Sequence, residues 1–380
     1  MSSHNQIASE PSTSTKVKRV VFVQKFVPHY RLPLFEKLRT KFAEHGIEFV
    51  LIYGRPDAYE GSKIKMEYPD WGQKVSSWII PLPGKFTRYL YWQWAPFKVR
   101  RGDVVIVEHA SKLLDNYPIF LMQQVGWVSM CYFGHGKNFQ GHREIALARK
   151  IKQLMVRKIS IWFAYTEISR QILIDQNVPD EKIVVVNNTL TESRQLDESE
   201  VERDPKKFVY IGGLYKEKRL DVIFDSVALL HAQDPEIKLV IAGTGPMQDE
   251  VKAFADANDW CDYRGPVFGI ERDKLLLGCT AILNPGLVGL IAIDSFQYAI
   301  PIIAVTLPNH SPEIAYLENE RNALILSERG DANLFAEALR RYLSSKELSE
   351  KLRQGCRDSA SQYTLDDTAQ RFVNGVLVKL

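Results

Sequence analysis

The chain has 380 residues, of which 45% are apolar and 25% are charged. This ordinary globular composition excludes a fibrous or wholly disordered chain, and the length predicts two domains. No run approaches the ~18 apolar residues of a spanning helix, and the charged N-terminus is not followed by an apolar stretch. We therefore expect a cytoplasmic protein. The four cysteines lack a C-x-x-C spacing and predict reduced packing residues.

The small net charge of +3 hides an asymmetry between the halves. Residues 1–190 carry 27 Lys and Arg against 16 Asp and Glu, which gives +11, whereas residues 191–380 carry 22 against 30, which gives −8. Such polarity predicts that the first half faces an anionic partner: a membrane surface, a nucleic acid or a phosphorylated acceptor. Without a recognisable nucleic-acid-binding module, the nucleic acid is the weakest of the three.

The first half has the pattern of an α/β domain. Residues 1–15 are rich in Ser and Thr and predict a disordered lead, and from 16 to 190 short apolar runs alternate with longer amphipathic ones such as 31–45 and 142–158. The predicted strands are VKRVVFVQ, IEFVLIY, DVVIVEH, VSMCYFG, SIWFAY and KIVVVNN. Continuous rather than alternating apolar runs are typical of parallel strands covered on both faces. We therefore predict a doubly wound α/β domain.

A second α/β domain follows a predicted linker. Residues 191–205 contain six acids and no aromatic residue, so they predict a linker, and the alternation then restarts over 206–345. The predicted strands are KKFVYIGG, IKLVIAGTG, CDYRGPV, TAILNPG, IPIIAVT and NALILS, and the predicted helices are 218–232, 246–258, 270–278, 290–299 and 331–343. Residues 346–380 look helical throughout, and from there they can pack back across the domain boundary. Two such sheets enclose a cleft, where ligands bind at the carboxyl ends of the strands.

The first of three glycine-containing junctions in the second half is YIGGLYKEKRLDVIFDSVALL. Gly212 and Gly213 allow a turn after the strand, and Lys216, Lys218 and Arg219 open the predicted helix. A helix N-terminus with a nearby lysine suits phosphate, because unpaired N–H groups and an ammonium both favour a dianion. The alternative is a solvated basic turn.

The other two junctions are LVIAGTGPMQDEV and NPGLVGLIAIDSFQYAIP. Gly243 and Gly245 end a strand, but the third glycine of the dinucleotide fingerprint is replaced by glutamine. In the last segment Gly286 and Gly289 flank a strand end, and Asp294 lies one turn inside the following helix. By itself this segment fits either a phosphate and sugar cradle or a plain strand-to-helix turn. All three junctions should lie at the same edge of the sheet.

Several familiar catalytic motifs are missing from the sequence. It has no D-x-D, H-E-x-x-H, G-x-S-x-G or G-x-x-x-x-G-K-[ST] motif, so the usual parts for metal-bridged nucleotide binding, zinc or serine hydrolysis and P-loop chemistry are lacking. We therefore expect chemistry that needs neither a metal nor a bound cofactor.

The second-half segments, taken in order, resemble the retaining nucleotide-sugar glycosyltransferases of the GT-B fold, specifically glycosyltransferase family 4. YIGGLYKEKRLDVIFDSVALL is similar to the family's G-R-L-x-x-x-K-G segment, LVIAGTGPMQDEV to its G-x-G-P turn, ILNPGLVGLIAIDSFQYAIPIIA to its E-x₇-E segment, and HSPEIAYLENERNALIL to the P-E-I sequel. The resemblance covers residues 208–327 well and the first half loosely. It implies two Rossmann-like domains that face a cleft.

The resemblance assigns donor-binding roles. It implies that Lys218 binds the donor diphosphate, while Gly213 stands where the family has an arginine that Lys216 or Arg219 would only partly replace. Gly286 stands where the family has a sugar-contacting glutamate, and Asp294 replaces the glutamate that holds the ribose. Backbone groups complete the implied donor site at Gly212, Gly243, Gly245, Leu287, Val288, Gly289 and Leu290.

The first half supplies the implied acceptor side. His135, in GHG after a strand, fits the family's functional histidine near the donor sugar, although a histidine satisfied within a turn is the alternative. The loop FVPHYRLPLFEKL resembles the family's first loop, which faces acceptor and phosphate. The remaining acceptor-side candidates are His29, Tyr30, Arg31, Glu108, His109, Asn187 and Asn188.

The resemblance implies displacement of a nucleoside diphosphate with retention at the anomeric carbon. Two basic stretches of the first half, KFTRYLYWQWAPFKVRR (85–101) and HREIALARKIKQLMVRK (142–158), favour an anionic lipid surface, with an aromatic core edge beside a solvated basic helix as the alternative. We therefore expect a peripheral enzyme on the inner face of the cell membrane, which glycosylates a lipid-linked or glycan acceptor in surface polysaccharide, lipopolysaccharide or glycolipid synthesis.

Two other functions stay open at this point. A sugar-nucleotide epimerase of the same fold would need placed acids and bases, in which the cleft segments are poor. A catalytically silent nucleotide-sugar-binding partner is consistent with the missing arginine and glutamate. The donor base, the sugar and the acceptor cannot be derived from the sequence, because pocket shape decides them.

Overall fold

The computed structural model describes residues 18–58, 61, 66–82, 88–136, 153–187, 189, 195–308, 310–327 and 331–379. The predicted lead 1–15, most of the basic stretch 142–158, residues 85–87 of the aromatic stretch, part of the linker and Asn188 lie outside these residues. In the part of the chain so described, no helix has both the length and the hydropathy needed to cross a bilayer.

A seven-stranded parallel sheet forms the core of the N-terminal domain. Its spatial order is β3-β2-β1-β6-β7-β8-β9. The strands are β1 (Arg19–Gln24), β2 (Glu48–Tyr53), β3 (Gln73–Lys74), β6 (Val104–Glu108), β7 (Ser129–Gly134), β8 (Ile161–Ala164) and β9 (Ile183–Val185). The helices are α1 (Leu32–Glu44), α2 (Asn116–Gln124) and α3 (Glu167–Asp175). All six predicted strands are present, and their side chains feed two apolar clusters, one on each face of the sheet.

The C-terminal domain repeats this plan around a six-stranded parallel sheet of order β12-β11-β10-β13-β14-β15. The strands are β10 (Lys207–Ile211), β11 (Lys238–Ala242), β12 (Cys261–Gly265), β13 (Ala281–Asn284), β14 (Ile302–Val305) and β15 (Ala323–Leu326). The helices are α4 (Leu220–His231), α5 (Gln248–Ala257), α6 (Gly269–Leu277), α7 (Ile291–Gln297), α8 (Ala332–Ser344) and α9 (Lys346–Ala360). Apolar clusters again cover both faces. The predicted doubly wound α/β architecture is confirmed.

The last helix, α10 (Leu365–Lys379), packs on the N-terminal domain rather than on the domain that precedes it in the chain. Phe372, Val373 and Val376 are fully buried in the same apolar cluster as β1 and α1. Asp366 accepts ion pairs from Lys37 at 3.1 Å and Lys41 at 3.0 Å. The chain therefore crosses between the domains twice.

One pair of strands was not predicted from the sequence. β4 (Trp78–Leu82) and β5 (Arg88–Trp92) form an antiparallel hairpin that is separate from both main sheets. The composition of the stretch 85–101 predicts a membrane-facing segment or a core edge, but its strand pairing with 78–82 is a contact that no local pattern reveals.

Candidate functional site

The glycine junctions of the C-terminal domain pack directly on one another at the carboxyl edge of the sheet. Leu214 N–H donates to the Thr244 carbonyl at 3.0 Å, and Met247 N–H donates back to the Leu214 carbonyl at 3.1 Å. A Cβ on Gly243 would overlap the carbonyl of Gly212, so only glycine allows the two turns this close approach. The first two junctions therefore form one backbone-lined surface.

The third junction joins the first through Gly286. Leu287 N–H donates to the Glu217 carbonyl at 3.1 Å, and a Cβ on Gly286 would overlap the backbone of Glu217 and Lys218. The Lys218 backbone therefore fills the space that a side chain at position 286 would need. The same contact fixes Lys218 beside the segment that the sequence predicts to be the donor cradle.

Lys218 lies in a 3₁₀ turn (Lys216–Lys218), and its ammonium is held inside the site. Its Nζ donates a short hydrogen bond to the Leu287 carbonyl. Burial lowers the pKa of Lys218 to about 8, and the nearby Glu313 carboxyl opposes that shift. A partly desolvated ammonium on a carbonyl oxygen gains much more from an arriving dianion than a fully hydrated ammonium would.

The helix after this turn begins later than predicted. Arg219 has a left-handed backbone with φ of 52° and caps α4, which starts at Leu220 rather than at 218. The basic residues therefore lie on a turn before the helix instead of in its first turn. Arg219 stays a donor-binding candidate, but it does not extend the α4 hydrogen-bond ladder.

A polar turn that the sequence did not assign lies close to Lys218. It runs from His310 into a 3₁₀ helix (Pro312–Tyr316). Burial raises the pKa of Glu313, while Ser311 and Lys218 pull it down. Burial also lowers the pKa of His310, with Lys218 among the further causes. Nε2 of His310 and Oδ1 of Asn284 are buried and have no hydrogen-bond partner among the described residues.

The carboxylate of Asp294 is already paired with another side chain of the protein. It forms a close ion pair with Arg272 of α6, and Arg272 also donates to the Tyr298 hydroxyl at 3.2 Å with its guanidinium 5.5 Å from the Tyr298 ring. Burial lowers the pKa of Arg272, but Asp294 outweighs burial and raises it. A ribose bound by Asp294, as predicted, would therefore share that carboxylate with Arg272. The sequence did not single out Arg272.

The cradle segment itself reaches the N-terminal domain. Val288 is buried in the C-terminal core, whereas Leu290 packs against the apolar cluster of the N-terminal domain. Within the described part of the chain, the N–H groups of Gly289 and Leu290 donate to no backbone carbonyl. They are free to serve as donors to a ligand, as the resemblance implies.

On the N-terminal side, strand alternation brings four polar side chains together. Phe22, Ile106, Phe133 and Phe163 share the apolar cluster on one face of the sheet. Since residues two apart point to the same face of a strand, the residues that follow them by two positions emerge side by side at the carboxyl edge. They are Gln24, Glu108, His135 and Tyr165.

Arg31 enters this group from the 3₁₀ turn that precedes α1. Its guanidinium donates to the Tyr165 hydroxyl at 2.9 Å and to Oε1 of Gln24 at 3.4 Å, and it lies 5.2 Å from the Phe133 ring. Burial lowers the pKa of Arg31, yet Tyr165 and Glu108 outweigh burial and raise it. Arg31 is therefore a permanent cation at this edge.

His135 lies against Tyr165, with the two ring centroids 4.2 Å apart. Burial and then the Arg31 charge lower the pKa of His135 to about 4, and Glu108 opposes the shift. The imidazole is therefore neutral at pH 7. In that state it offers one acceptor and one donor nitrogen and does not serve as a strong acid.

Two other predicted residues lie elsewhere. The His109 ring packs between Tyr132, at 4.9 Å, and Trp162, at 4.8 Å, which belong to the cluster on the opposite face of the sheet. Glu108 and His109 therefore lie on opposite faces of the sheet, as consecutive residues at a strand end do, and an acceptor-side role for His109 stays a prediction. Asn187 uses its carbonyl to accept from Thr368 of α10 at 2.8 Å, so its backbone ties the last helix to the N-terminal domain.

The two sides of the cleft touch. Tyr316, at the end of the turn that holds Glu313, donates its hydroxyl to the Tyr165 carbonyl at 3.0 Å. His29 lies 5.5 Å from the Tyr30 ring and 6.3 Å from the ring of Phe268, which precedes α6. The Arg31 and His135 group and the Lys218 and Glu313 pair therefore border one cleft.

Gln24, Tyr165, Arg272, His310 and Glu313 are site residues that sequence reasoning missed. Tyr165 ended an apolar run, and Glu313 stood in the quoted P-E-I segment without a role. Their positions follow from contacts between distant segments. Across the described ranges, no group of three or more His, Cys, Asp or Glu side chains is placed to hold a metal ion.

Comparison with known proteins places the fold. Residues 192–359 match the model of the family described as glycosyl transferases group 1. No curated protein matches the chain. The matched residues lie in the C-terminal half and make up less than half of the chain.

Solved structures match nearly the whole chain. S. aureus TarM, bound to UDP, α-GlcNAc-glycerol and fondaparinux, superposes with a TM-score of 0.66 at 11% identity and covers 94% of this chain and 99% of its own. Anabaena HepE bound to UDP gives 0.67 at 12%, with 94% and 99% covered. The lipopolysaccharide outer core galactosyltransferase WaaB gives 0.65 at 14%, with 95% and 100% covered. The predicted GT-B fold is confirmed.

Proposed function

We propose that this chain is a retaining glycosyltransferase of family 4 that moves a sugar from a nucleoside-diphosphate sugar to a lipid-linked or glycan acceptor. The proposal also assigns the enzyme to surface polysaccharide, lipopolysaccharide or glycolipid assembly. The family match to residues 192–359 and the GT-B fold support it at the level of class. Because TarM and HepE were solved with UDP, uridine diphosphate sugars come first among the candidate donors.

The position of Lys218 is the observation that carries the proposal. Its partly buried ammonium donates to the Leu287 carbonyl and lies within electrostatic reach of the Glu313 carboxyl, at a backbone-lined edge where three glycine junctions meet. A diphosphate leaving group develops negative charge as the anomeric bond breaks, and a preorganised cation in a partly desolvated site stabilises that charge. A solvated basic turn, the alternative considered from sequence, would leave the lysine exposed.

The N-terminal side of the cleft orients the substrates rather than supplying a strong acid or base. Neutral His135 and the permanently charged Arg31 lie at the carboxyl edge of the N-terminal sheet. In the proposed reaction, the acceptor hydroxyl attacks from the face that the diphosphate leaves, and its proton passes to a departing phosphate oxygen. The protein then has to hold both substrates and exclude water, which would otherwise hydrolyse the donor.

We further propose that no metal ion and no bound cofactor take part, and that the enzyme works at the inner face of the cell membrane. The absence of a D-x-D motif in the sequence supports the first point. The +11 charge of residues 1–190 supports the second. Turnover that persists in a chelator would agree with metal independence, and loss that a divalent cation restores would contradict it.

The test is release of nucleoside diphosphate from a panel of sugar donors, with and without a membrane lipid extract as the acceptor source. Turnover that depends on extract, with the anomeric configuration retained in the product, supports the proposal. A donor that protects the protein against thermal unfolding yet never turns over would instead identify a silent binding partner. A converted sugar nucleotide without any acceptor would identify an epimerase.

A further inference from the structure

One face of the β4–β5 hairpin is apolar apart from Arg88, which pairs with Leu82 at the end of the register. The same register pairs Trp78 with Trp92 and Ile80 with Leu90. Residues opposite one another, and residues two apart on one strand, share a face, so this face also includes Leu82. Trp78 is 59% exposed and Ile80 is 40% exposed. We call these five side chains, Trp78, Ile80, Leu82, Leu90 and Trp92, the tryptophan face.

Trp94 and Phe97 extend the tryptophan face beyond the hairpin. The Trp94 ring lies 5.3 Å from Trp78 and 5.4 Å from Phe97, whose side chain is 70% exposed. Trp94 has a left-handed backbone with φ of 55°, which a bulky residue adopts only when its surroundings enforce it. The buried carboxyl of Asp115 enforces it by accepting from the N–H groups on either side of Trp94, at 2.7 and 3.0 Å.

The charge around the tryptophan face has one sign. Residues 71–102 contain six Lys and Arg and no Asp or Glu. Lys98, Arg100 and Arg101 are exposed next to Phe97. Of the next three acids in the chain, Asp103 and Asp115 are buried and Glu108 is half-buried at the end of β6. Nothing acidic on this stretch would oppose an anionic surface.

A second exposed apolar group adjoins the basic residues. The Gly102 N–H donates to the Trp127 carbonyl at 2.8 Å, which places Trp127 beside the turn that follows Arg101. Trp127 and Val125 are 47% and 78% exposed. Apolar side chains therefore lie on both sides of the cluster of Lys98, Arg100 and Arg101.

We propose that the tryptophan face, Phe97 and the Lys98, Arg100 and Arg101 cluster seat this protein on an anionic lipid bilayer, with the indole rings at the headgroup level. Indoles favour that depth because one end is apolar and the other donates a hydrogen bond. Basic side chains beside them gain from anionic headgroups. A second copy on the same face would bring two sets of like charges together. This inference rests on the membrane location proposed above and names the surface that makes the contact. Lipid binding by that surface needs no sugar transfer, so its failure and the failure of the proposed activity can be told apart.

The experiment is co-sedimentation of the full chain with vesicles of phosphatidylglycerol and phosphatidylcholine, compared with vesicles of phosphatidylcholine alone. Wild type should bind the anionic vesicles, with tryptophan fluorescence quenched by brominated acyl chains. Trp78→Ser with Phe97→Ser should weaken binding roughly tenfold through lost apolar insertion. Lys98→Gln with Arg100→Gln and Arg101→Gln should weaken it roughly 100-fold, at about fivefold for each charge.

Matched controls lie on the C-terminal domain. Leu229→Ser with Leu334→Ser removes two apolar side chains that are 38% and 43% exposed, and Lys252→Gln, Lys346→Gln and Lys351→Gln remove three exposed charges. Both controls should bind as wild type does, and circular dichroism checks that every variant is folded. Equal binding to neutral vesicles, or wild-type binding by both surface variants, would overturn the proposal. A dimer in solution that Trp78→Ser with Phe97→Ser dissociates, without lipid binding, would also overturn it in favour of an interface between copies.

Discussion

On the C-terminal side of the cleft, the candidate site around the partly buried Lys218 is built mainly from backbone groups, whereas on the N-terminal side it is built from side chains that pair with one another. Glycine junctions bring carbonyl and N–H groups of three loops into contact around Lys218. Opposite them, Arg31, Tyr165 and Gln24 form a hydrogen-bonded group. The first arrangement leaves a charge to be satisfied by a ligand, and the second satisfies its charge internally.

This contrast separates two tasks. A pKa of about 8 leaves the Lys218 proton weakly held until an anion arrives, while the raised pKa of Arg31 makes its charge independent of pH. Charge stabilisation in the proposed reaction is therefore expected to depend on the C-terminal side, and orientation of the acceptor on the N-terminal side. Each of the following experiments tests that division.

The largest effect is expected for Lys218→Ala. Removal of a preorganised group that stabilises a developing charge costs about 10²–10³ in kcat. Nucleoside diphosphate release in single-turnover conditions measures it. The matched control is Lys216→Ala, which removes a charge from the same 3₁₀ turn but not the contact with Leu287. Equal losses in the two variants would contradict a specific role for Lys218.

The next effect concerns the backbone contact at Gly286. Gly286→Ala adds a Cβ that overlaps Glu217 and Lys218, so we expect ~1–3 kcal/mol lower stability together with weaker donor binding. Gly289→Ala adds a Cβ with no atom within 4 Å and should be tolerated. Urea unfolding and a thermal shift with UDP measure the two effects. Indistinguishable stability of the two variants would show that the turn relaxes away from Gly286.

A smaller effect should follow when the Arg272 and Asp294 pair is broken. Asp294→Ala removes the predicted ribose contact, and we expect about 30-fold weaker nucleotide binding, or ~2 kcal/mol for hydrogen bonds to a charged group, with kcat less affected. Arg272→Gln removes the ion-pair partner of Asp294 and should therefore also weaken donor binding, which raises KM for the donor. Glu271→Ala breaks the exposed pair with Lys274 on the same helix and is the control. Unchanged donor KM in both Asp294→Ala and Arg272→Gln would remove this pair from the site.

The smallest effect is a pH dependence. Because the Lys218 ammonium loses its proton as pH rises through about 8, kcat/KM for the donor should fall to roughly one tenth by pH 9 relative to pH 7. Between pH 5 and 7.5 the profile should stay flat with respect to His135, whose pKa is about 4. Lys218→Arg keeps its charge and should lose the alkaline decline. A decline that persists in Lys218→Arg would assign the titration to another group.

The parallel sheets could be predicted from sequence because most of their strands are continuous apolar runs, although β3, the pair Gln73 and Lys74, was not predicted. The three glycine junctions could be predicted because they stand at strand ends. The need for glycine at position 286 could not be predicted from the sequence. The Lys218 backbone, which fills the space of a Cβ at that position, lies 68 positions earlier in the chain. Arg272 was missed for the same reason: its partner Asp294 belongs to another helix. The sequence also did not show to which side of the sheet each of two consecutive polar residues points, as with Glu108 and His109.

Because α10 packs on the N-terminal domain, the core of that domain can be completed only after the C-terminal domain has been synthesised. Phe372, Val373 and Val376 complete the apolar cluster that β1 and α1 begin. Domains usually fold as units while the chain is still being made, with the N-terminal one first. Here the first domain to leave the ribosome waits for the last 15-residue helix before its core is closed. A chain that ended after residue 360 would therefore carry the strands and helices of the C-terminal domain beside an N-terminal domain whose apolar cluster lacks α10.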